Sequence, residues 1–452
     1  MNDKLLRLYN NLPDFEIPKG FENADSYIRD LTINGLKVRY SKEKQADGKA
    51  WEKMKERAEY ELNIIIHYNF ANYFLIVMDY VNWAIKQNIP VGPGRGSAPS
   101  SIVAYALHIT DIDPIKFNLI FERSINPEHG SIPDFDIDFS DEGRNDVINY
   151  VKEKYGKECV KNIFVFSKNN TSQKPSIHAS GLIIAKKDII HSVPFSFPDE
   201  NINSPTPYGF NDLENNGLIR FDFLGLKVLD ILKYTSEIIR LRGGNFSEFQ
   251  LGNIPENDEK TFKMLGQGNS SGIFWFESDG IKNVLKKVKP KNINDLAAIS
   301  SLYRPGLIDL LPQFIEARNN GKEGVKYMLP EFEDILKETY GIIVYQEQVI
   351  QIIHCITGYS LGKADHLRRI FHKFLQSEID QEKKKFITSA IEKGYPEKTV
   401  ENILDSLIPS ARLAFPKSHA VAYSYLAYQE AYLKANFSKE FKMSLNKYSN
   451  MQ

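Results

Sequence analysis

The segment PDFDIDF, residues 133–139, constrains this chain more than any other. Its strict alternation has the two-residue period of a β-strand, so Asp134, Asp136 and Asp138 project to one face and Phe135, Ile137 and Phe139 to the other. The aromatic face needs a core. The acidic face sets three like charges side by side, which costs folding free energy unless a cation neutralises them. Hard carboxylate oxygens suit Mg²⁺, and two such ions can clamp a phosphoryl transfer. An edge strand kept soluble by acidic residues has the same pattern, and for an isolated Asp-x-Asp it is the commoner explanation.

Two further segments bear on that choice. In RFDFLGL, residues 220–226, Asp222 stands between Phe221 and Phe223 in an apolar strand. A buried aspartate needs partners. A neighbouring strand with metal-bound carboxylates would supply them; so would Arg220, or a helix end to cap. The residues leave both open. In VGPGRGSAPSS, residues 91–101, glycines permit close backbone approach and Arg95 adds positive charge. Amides at a helix start bind phosphate, although a plain loop is the more frequent use of such a turn. A phosphate cradle followed by two acidic strands is the order a nucleotidyltransferase palm requires.

Composition sets limits. With 57 basic and 58 acidic residues the net charge is -1, so a nucleic-acid partner must find local basic patches. Cys159 and Cys355 form no CxxC pair, which argues against a disulfide framework or cysteine-rich zinc site and fits a reducing cytosol. The start, MNDKLLRLYNNLPDF, lacks the apolar core of a signal peptide. The longest apolar stretch, NYFLIVMDYVNWAI, contains Asp79 and is too short to span a bilayer. These features predict a cytoplasmic protein without a membrane partner.

At 452 residues the chain has room for two or three domains. Apolar spacing predicts two helices over residues 50–88 and a buried helix at IVAYALHI. Strands are expected at IPDFDIDFS, GLIIA and LIRFDFLGL, the last leading into the helix KVLDILKYTSEIIRLR, which Gly243 and Gly244 stop. Clusters rich in Asn, Ser and Pro near 168–176 and 200–215 read as loops. Beyond about residue 255 the pattern is helical, with short strands expected at SGIFWFE and GIIVYQE. The stretch RGGNFSEFQLGNIPEND, residues 242–258, reads as the boundary between an α/β half and a helical half.

The order of motifs is itself informative. GPGRGSAPSSIVAYALHITDIDP, NLIFERSINPEHGSIPDFDIDF and IRFDFLGL resemble the palm of the C-family DNA polymerases of bacteria. GIFWFES, SLYRPG, YGIIVYQEQV, GKADHLRRI and FPKSHAVAYSYLAYQEAYLKA resemble that family's fingers, and the likeness runs over most of residues 10–440. It implies an α+β mixed fold: a polymerase-β-like nucleotidyltransferase palm over residues 1–235 and a mostly helical fingers domain over 236–452. It implies template-directed addition of dNMP to a primer 3′-hydroxyl, with release of pyrophosphate. Asp136, Asp138 and Asp222 match the family's catalytic metal ligands, for two Mg²⁺ ions. Gly96, Ser97 and Ser101, with Arg95, fall in its phosphate-binding loop. Arg304, Arg368, Arg369, Lys373, Lys417 and His419 match positions that contact nucleotide or template; His366, Arg369 and Lys373 share one helix face. Tyr303 and Tyr345 would pack beside a base or in the core. Primer–template DNA, dNTPs and other replisome subunits are the implied partners.

The chain also departs from the family. Between Phe166 and His178 it has only SKNNTSQKPSI, where the family carries a palm segment and a thumb, so the thumb is expected to be deleted near 167–177. Pro99 and Ser100 replace residues that are Ala and Gly in the family, which removes an amide donor and backbone freedom. Pro416 interrupts the family's FNKSH, His178 sits in IHASG, and the lysine-rich stretch after LRR is reduced to IFHKF. From the register of the match, the family's N-terminal phosphatase-like domain and its duplex-binding, clamp-binding and OB-fold regions are expected to be absent. A minimal, distributive polymerase is therefore expected. The alternatives are an inactive remnant that binds nucleic acid or replisome proteins, and a template-independent nucleotidyltransferase.

Overall fold

The computed structural model describes residues 11–41, 47–128, 133–166, 175–186, 217–321, 325–373 and 376–449. It divides into two compact units, the first comprising residues 1–125 and 130–230 and the second residues 126–129 and 231–452. The fold is mixed α and β, as expected. The segment 167–174 lies outside the described residues, as does the side chain of His178, so the expected thumb deletion falls there.

In the first unit, helices α1 (Ala24–Arg39), α2 (Gly48–His67), α3 (Ala71–Lys86) and the short α4 (Ile102–Ala106) precede strand β1 (Asp136–Phe139). Helix α5 (Arg144–Tyr155) follows, then β2 (Val160–Phe166), β3 (Pro175–Ile184), β4 (Arg220–Gly225) and α6 (Lys227–Leu241). The strands form one sheet in the order β1-β4-β3-β2. β1 and β4 run parallel, and the other two pairs are antiparallel.

Local chemistry sets the helix ends. Asn23 opens α1 with a reciprocal capping box to Ser26. Asp47 caps α2, and Gly243 and Gly244, at φ of 70° and 58°, follow α6 as expected. His108, with φ of 58°, lies just beyond α4, so the predicted IVAYALHI helix is only five residues long.

The sheet's apolar face packs on α3, which is apolar enough to bury Tyr73, Phe74, Ile76, Val77 and Tyr80. Tyr73 meets Phe135 and Phe221, and Tyr80 meets Phe139 and Phe223, with ring centroids 4.7–6.2 Å apart. Among the described residues no single helix is long and apolar enough to cross a membrane.

The second unit is helical: α7 (Glu259–Gly266), α8 (Asp279–Val288), α9 (Ile293–Leu302), α10 (Leu311–Asn319), α11 (Glu333–Leu336), α12 (Gln346–Thr357), α13 (Leu361–Lys373), α14 (Gln376–Glu392), α15 (Glu397–Leu413), α16 (Lys417–Asn436) and α17 (Ser438–Ser449). α16 is buried around much of its circumference and packs along α9. The units part within α6, whereas composition pointed to residues 242–258, which hold two single-turn 3-10 segments.

The two strands expected in this half do not form. SGIFWFE is a chain of turns, because Phe274 N–H donates to the Glu430 carboxyl at 2.6 Å and Phe276 C=O accepts from Ser270 Oγ at 2.5 Å. Side chains thus satisfy backbone groups that a strand would leave for a ladder. In GIIVYQE, Val344 and Tyr345 N–H both donate to Gln348 Oε1, and only an isolated bridge from Tyr345 to Phe415 remains.

Glu430 is buried, and burial pushes its carboxyl up to about 8, with the Phe274 amide opposing the shift. The folded state then holds a proton that the unfolded chain has released above its ordinary range. Unfolding free energy should fall as pH rises from about 4.5 towards 8, and Glu430→Gln should flatten that decline. Urea unfolding midpoints at pH 5 and pH 8.5 measure it; identical pH slopes for both proteins would contradict the assignment.

Candidate active site

Residue by residue, β1 and β4 set Asp136 opposite Asp222, Ile137 opposite Phe223 and Asp138 opposite Leu224. Because side chains alternate, Phe135, Ile137, Phe139, Phe221 and Phe223 all enter the core, each at most 2% exposed. The carboxylates are thereby forced onto the opposite face. Phe135 N–H donates to Tyr73 Oη at 2.9 Å, fixing the entry to β1. Beyond it, Leu226 N–H donates to Phe139 C=O at 2.8 Å and Arg144 Nε to Phe223 C=O at 2.7 Å, which closes the far ends of both strands.

One carboxylate oxygen from each of Asp134, Asp136 and Asp222 lies within 4.8 Å of the others. Asp138, 2% exposed, sits deeper on the same face. Four carboxylates here meet two guanidiniums. Arg95 Nη1 donates to Asp138 Oδ1 at 3.1 Å, and its Nε stands 3.9 Å from Asp136 Oδ2. Arg220 Nη2 donates to both oxygens of Asp134 at 3.1 and 3.2 Å, and its Nε lies 2.7 Å from Asp222 Oδ2. That last approach is not aligned as a hydrogen bond; buried Asp222 Oδ1 accepts from no amide, hydroxyl or guanidinium among the described residues, while the Asp136 carboxyl, when protonated, donates to Asp222.

Burial and then the facing Asp222 charge push the Asp136 carboxyl up to about 6, with Arg95 and Arg220 pulling it down. Asp222 is also raised, by burial, against the opposing pull of Arg220. The site therefore holds an excess of oxygen ligands, a buried carboxylate oxygen that no amide, hydroxyl or guanidinium reaches, and mutually repelling charges. A divalent cation with a preference for oxygen fits all three.

The glycine-rich loop lies directly against β1. Gly92 N–H donates to Asp138 C=O at 2.8 Å, and a Cβ at residue 92 would stand 2.9 Å from Asp138 Cβ. Gly96 takes φ of 60°, and its added Cβ would sit 3.7 Å from Asp136 Oδ2, so the loop reaches the carboxylates only through glycine. Ser97 is half-buried beside Arg95 and Gly96. Ser101 faces the other way: its hydroxyl donates to buried Glu61 at 2.7 Å and accepts from Ala104 N–H, capping α4. Glu61 also binds Arg57 at 2.7 Å and Val103 N–H at 3.2 Å, and so anchors the loop's far end to α2.

The second unit holds the other candidates. On α13, His366 and Lys373 are exposed and Arg369 is 38% exposed, the shared face that spacing predicts. Arg368 points inward, and buried Asp365 takes Arg368 Nε on one oxygen at 2.8 Å and Arg369 Nε on the other at 2.7 Å. Lys417 is buried and bridged to Glu338 at 2.7 Å. Tyr345 lies in the core, whereas Tyr303 is half-buried. Arg304 and His419 are half-buried in an aromatic cluster with Trp275, Phe415 and Tyr423.

Three participants escaped sequence reasoning. Asp134 was visible in the alternation but matches no family ligand. Arg220 was weighed only as an alternative to a metal, yet it contacts the same carboxylates. Glu61 carries no local signal for the loop, because the loop residues it holds, Ser101 and Val103, lie 40 or more positions away.

Comparison with known proteins gives an ordered match. The bacterial DNA polymerase III alpha NTPase domain matches residues 26–173 and 167–225, and the bacterial DNA polymerase III alpha subunit finger domain matches 228–394. The DNA polymerase III subunit alpha of Borreliella burgdorferi is 41% identical, covering 95% of this chain and 42% of the relative. That of Treponema pallidum is 40% identical with the same coverage, and that of Bacillus subtilis is 35% identical over 96% of this chain and 44% of its own. The chain thus spans less than half the length of these relatives. The Borreliella alignment runs over 495 positions, more than the 452 residues available, so within it the relative carries residues with no counterpart here.

If Arg220 is the counter-charge of the acidic pair, Arg220→Ala should lower stability in EDTA by on the order of 3 kcal/mol, as when a buried pair is broken. Added Mg²⁺ should then raise its melting temperature more than that of the parent chain. Thermal unfolding with and without Mg²⁺ measures both effects, and an unchanged melting temperature in EDTA would contradict the role.

Proposed function

The chain belongs to the bacterial DNA polymerase III alpha-subunit family, and from that premise we propose that its acidic strands carry the nucleotidyl transfer of DNA-directed DNA synthesis. The observation that supports this most is the register of Asp136 against Asp222, which sets two mutually repelling buried carboxylates side by side. In this reading the first unit is a polymerase-β-like palm and the second a fingers domain.

Asp136, Asp138 and Asp222 would hold two Mg²⁺ ions on this reading, and Asp134, whose carboxylate lies within 4.8 Å of those of Asp136 and Asp222, would extend the ligand set. When bound, the metal supplies charge neutralisation and Lewis acidity at the hydroxyl and phosphate oxygens. The primer 3′-hydroxyl would release its proton to solvent as its oxygen bonds to the α-phosphorus of a dNTP, the bond from that phosphorus to the oxygen bridging the β-phosphate would break, and pyrophosphate would leave. Arg95 and the backbone of Gly96 and Ser97 stand where phosphate oxygens would be received. Arg304, Arg369, Lys373 and His419, with His366, offer exposed or half-buried groups to the triphosphate or template backbone. Arg368 and Lys417, tied to Asp365 and Glu338, act on this reading by holding their helices in shape. Most of the rate then comes from positioning and charge. Primer–template DNA, dNTPs and other replisome subunits in the cytoplasm are the proposed partners.

A second reading, a catalytically weak module that binds nucleic acid or replisome proteins, draws on the residues that the relative carries within the aligned span and that have no counterpart here. Primer extension by the purified chain with Mg²⁺ separates the two. Incorporation is expected, with Asp136→Asn reducing it at least about 100-fold and Asp136→Asn with Asp222→Asn abolishing it. Incorporation that survives the double variant rules out the assigned site, and DNA binding without incorporation supports the second reading.

A further inference from the structure

A helix start binds phosphate through amides that are free to donate, and the turn that leads into α4 has none left. Ala98, Ser100 and Ser101 N–H donate to the carbonyls of Arg95, Ser97 and Ala98, and Pro99 has no N–H. Val103 N–H donates to Glu61 Oε2 at 3.2 Å, the Ile102 amide is held by the same carboxylate, and Ala104 N–H donates to Ser101 Oγ at 3.1 Å. Every amide from residue 98 to 104 is therefore spent. A carboxylate of the chain itself stands where a bound phosphate would need to be.

Glu61 is 0% exposed, and its counter-charge comes from its own helix. Arg57 lies four positions before it on the same face of α2, and its Nε donates to Glu61 Oε1 at 2.7 Å. Arg57 Nη2 donates in turn to the carbonyls of Ser100 at 3.2 Å and Leu119 at 3.3 Å. The second carboxylate oxygen, Oε2, takes the Ser101 hydroxyl at 2.7 Å. A 20-residue helix thus grips the loop's exit at residues 100–103, while Gly92 pins its entry to β1. Between these two fixed ends lie Arg95, Gly96 and Ser97, and Arg95 Nε stands 3.9 Å from Asp136 Oδ2.

We propose that Glu61 is a positioning residue for the incoming nucleotide: it closes the start of α4 to phosphate and fixes the loop's exit, so that within this loop the triphosphate is received at residues 95–97. The nature of the ligand rests on the nucleotidyl-transfer reading. Glu61 touches no substrate itself, because its oxygens are enclosed and taken by Arg57, Ser101 and Val103. Its influence passes through the backbone it holds. Phosphate contacts exist already in the bound ground state, so their loss raises KM and leaves kcat nearly unchanged. A side chain needed only for folding would instead reduce the active fraction, and with it kcat, at constant KM.

Primer extension by the full chain at graded dATP, with Mg²⁺ and saturating primer–template, gives KM and kcat. Equilibrium dialysis of labelled dATP with Mg²⁺ gives Kd without turnover. Glu61→Gln retains one acceptor oxygen of two, so either Arg57 or Ser101 loses its partner. It should raise KM and Kd about tenfold, with kcat within about threefold of the parent. Arg57→Lys keeps a cation beside Glu61 but cannot also reach Ser100 and Leu119. It should raise both constants about threefold, and it decides the matter should Glu61→Gln fail to fold. Ser101→Ala added to Glu61→Gln should change KM by less than about twofold more, because both act through one network. Unchanged KM and Kd in a folded variant, a fall in kcat alone, or full multiplication of the Ser101 and Glu61 effects overturns the role. A parent chain that binds no dATP overturns it as well. A parent that binds dATP without extending a primer overturns the proposed function alone, and Kd then decides the part played by Glu61.

Discussion

Pairing β1 with β4 in one particular register is what the acidic site depends on. The phenylalanines on the reverse face enforce it: Phe135, Phe139, Phe221 and Phe223 interlock with Tyr73 and Tyr80 of α3. A slip of one residue would turn this aromatic face to solvent and bury the aspartates in its place, an exchange that hydrophobic burial and charge desolvation both oppose. Core packing therefore decides where the carboxylates stand. The functional face inherits its geometry from the apolar one.

That geometry carries an electrostatic debt, which two arginines reduce without removing. Arg95 reaches Asp138 from a loop that only glycine allows so close, and Arg220 reaches Asp134 and Asp222 from the neighbouring strand. One oxygen of Asp222 remains buried beyond the reach of any described amide, hydroxyl or guanidinium, and Asp136 is left with a raised affinity for protons. Two guanidiniums do not balance four carboxylates, so the charge distribution of the site favours a bound cation. Its stiffness comes from further back, where Glu61 holds the Gly-rich loop and α4 to α2 through Ser101 and Val103.

Much of this was legible in the sequence, because strand alternation and ordered motifs are local signals. PDFDIDF and RFDFLGL announced both strands and the face each aspartate takes. For Asp222 the open readings were a metal neighbour, a pair with Arg220 and a helix end to cap; the structure sets Arg220 and Asp136 beside the same carboxylate. Local pattern misled where side chains intervened. SGIFWFE alternates like a strand but is bound through Glu430, which lies 156 positions from Phe274, and no window of sequence shows that. The inward turn of Arg368 and the burial of Lys417 depend on Asp365 and Glu338, so motif matching could place these residues in a basic set but could not tell which point outwards.

The position of a bound divalent ion tests the central claim most directly. Crystals of the chain prepared without metal and then equilibrated with Mn²⁺ would give an anomalous-scattering peak for each ion. The account predicts a peak between β1 and β4, roughly 2.1 Å from oxygens of both Asp136 and Asp222, with the Arg220 guanidinium turned away. Saturating Mn²⁺ with no peak between those carboxylates, and Arg220 still bound to Asp222, would contradict it.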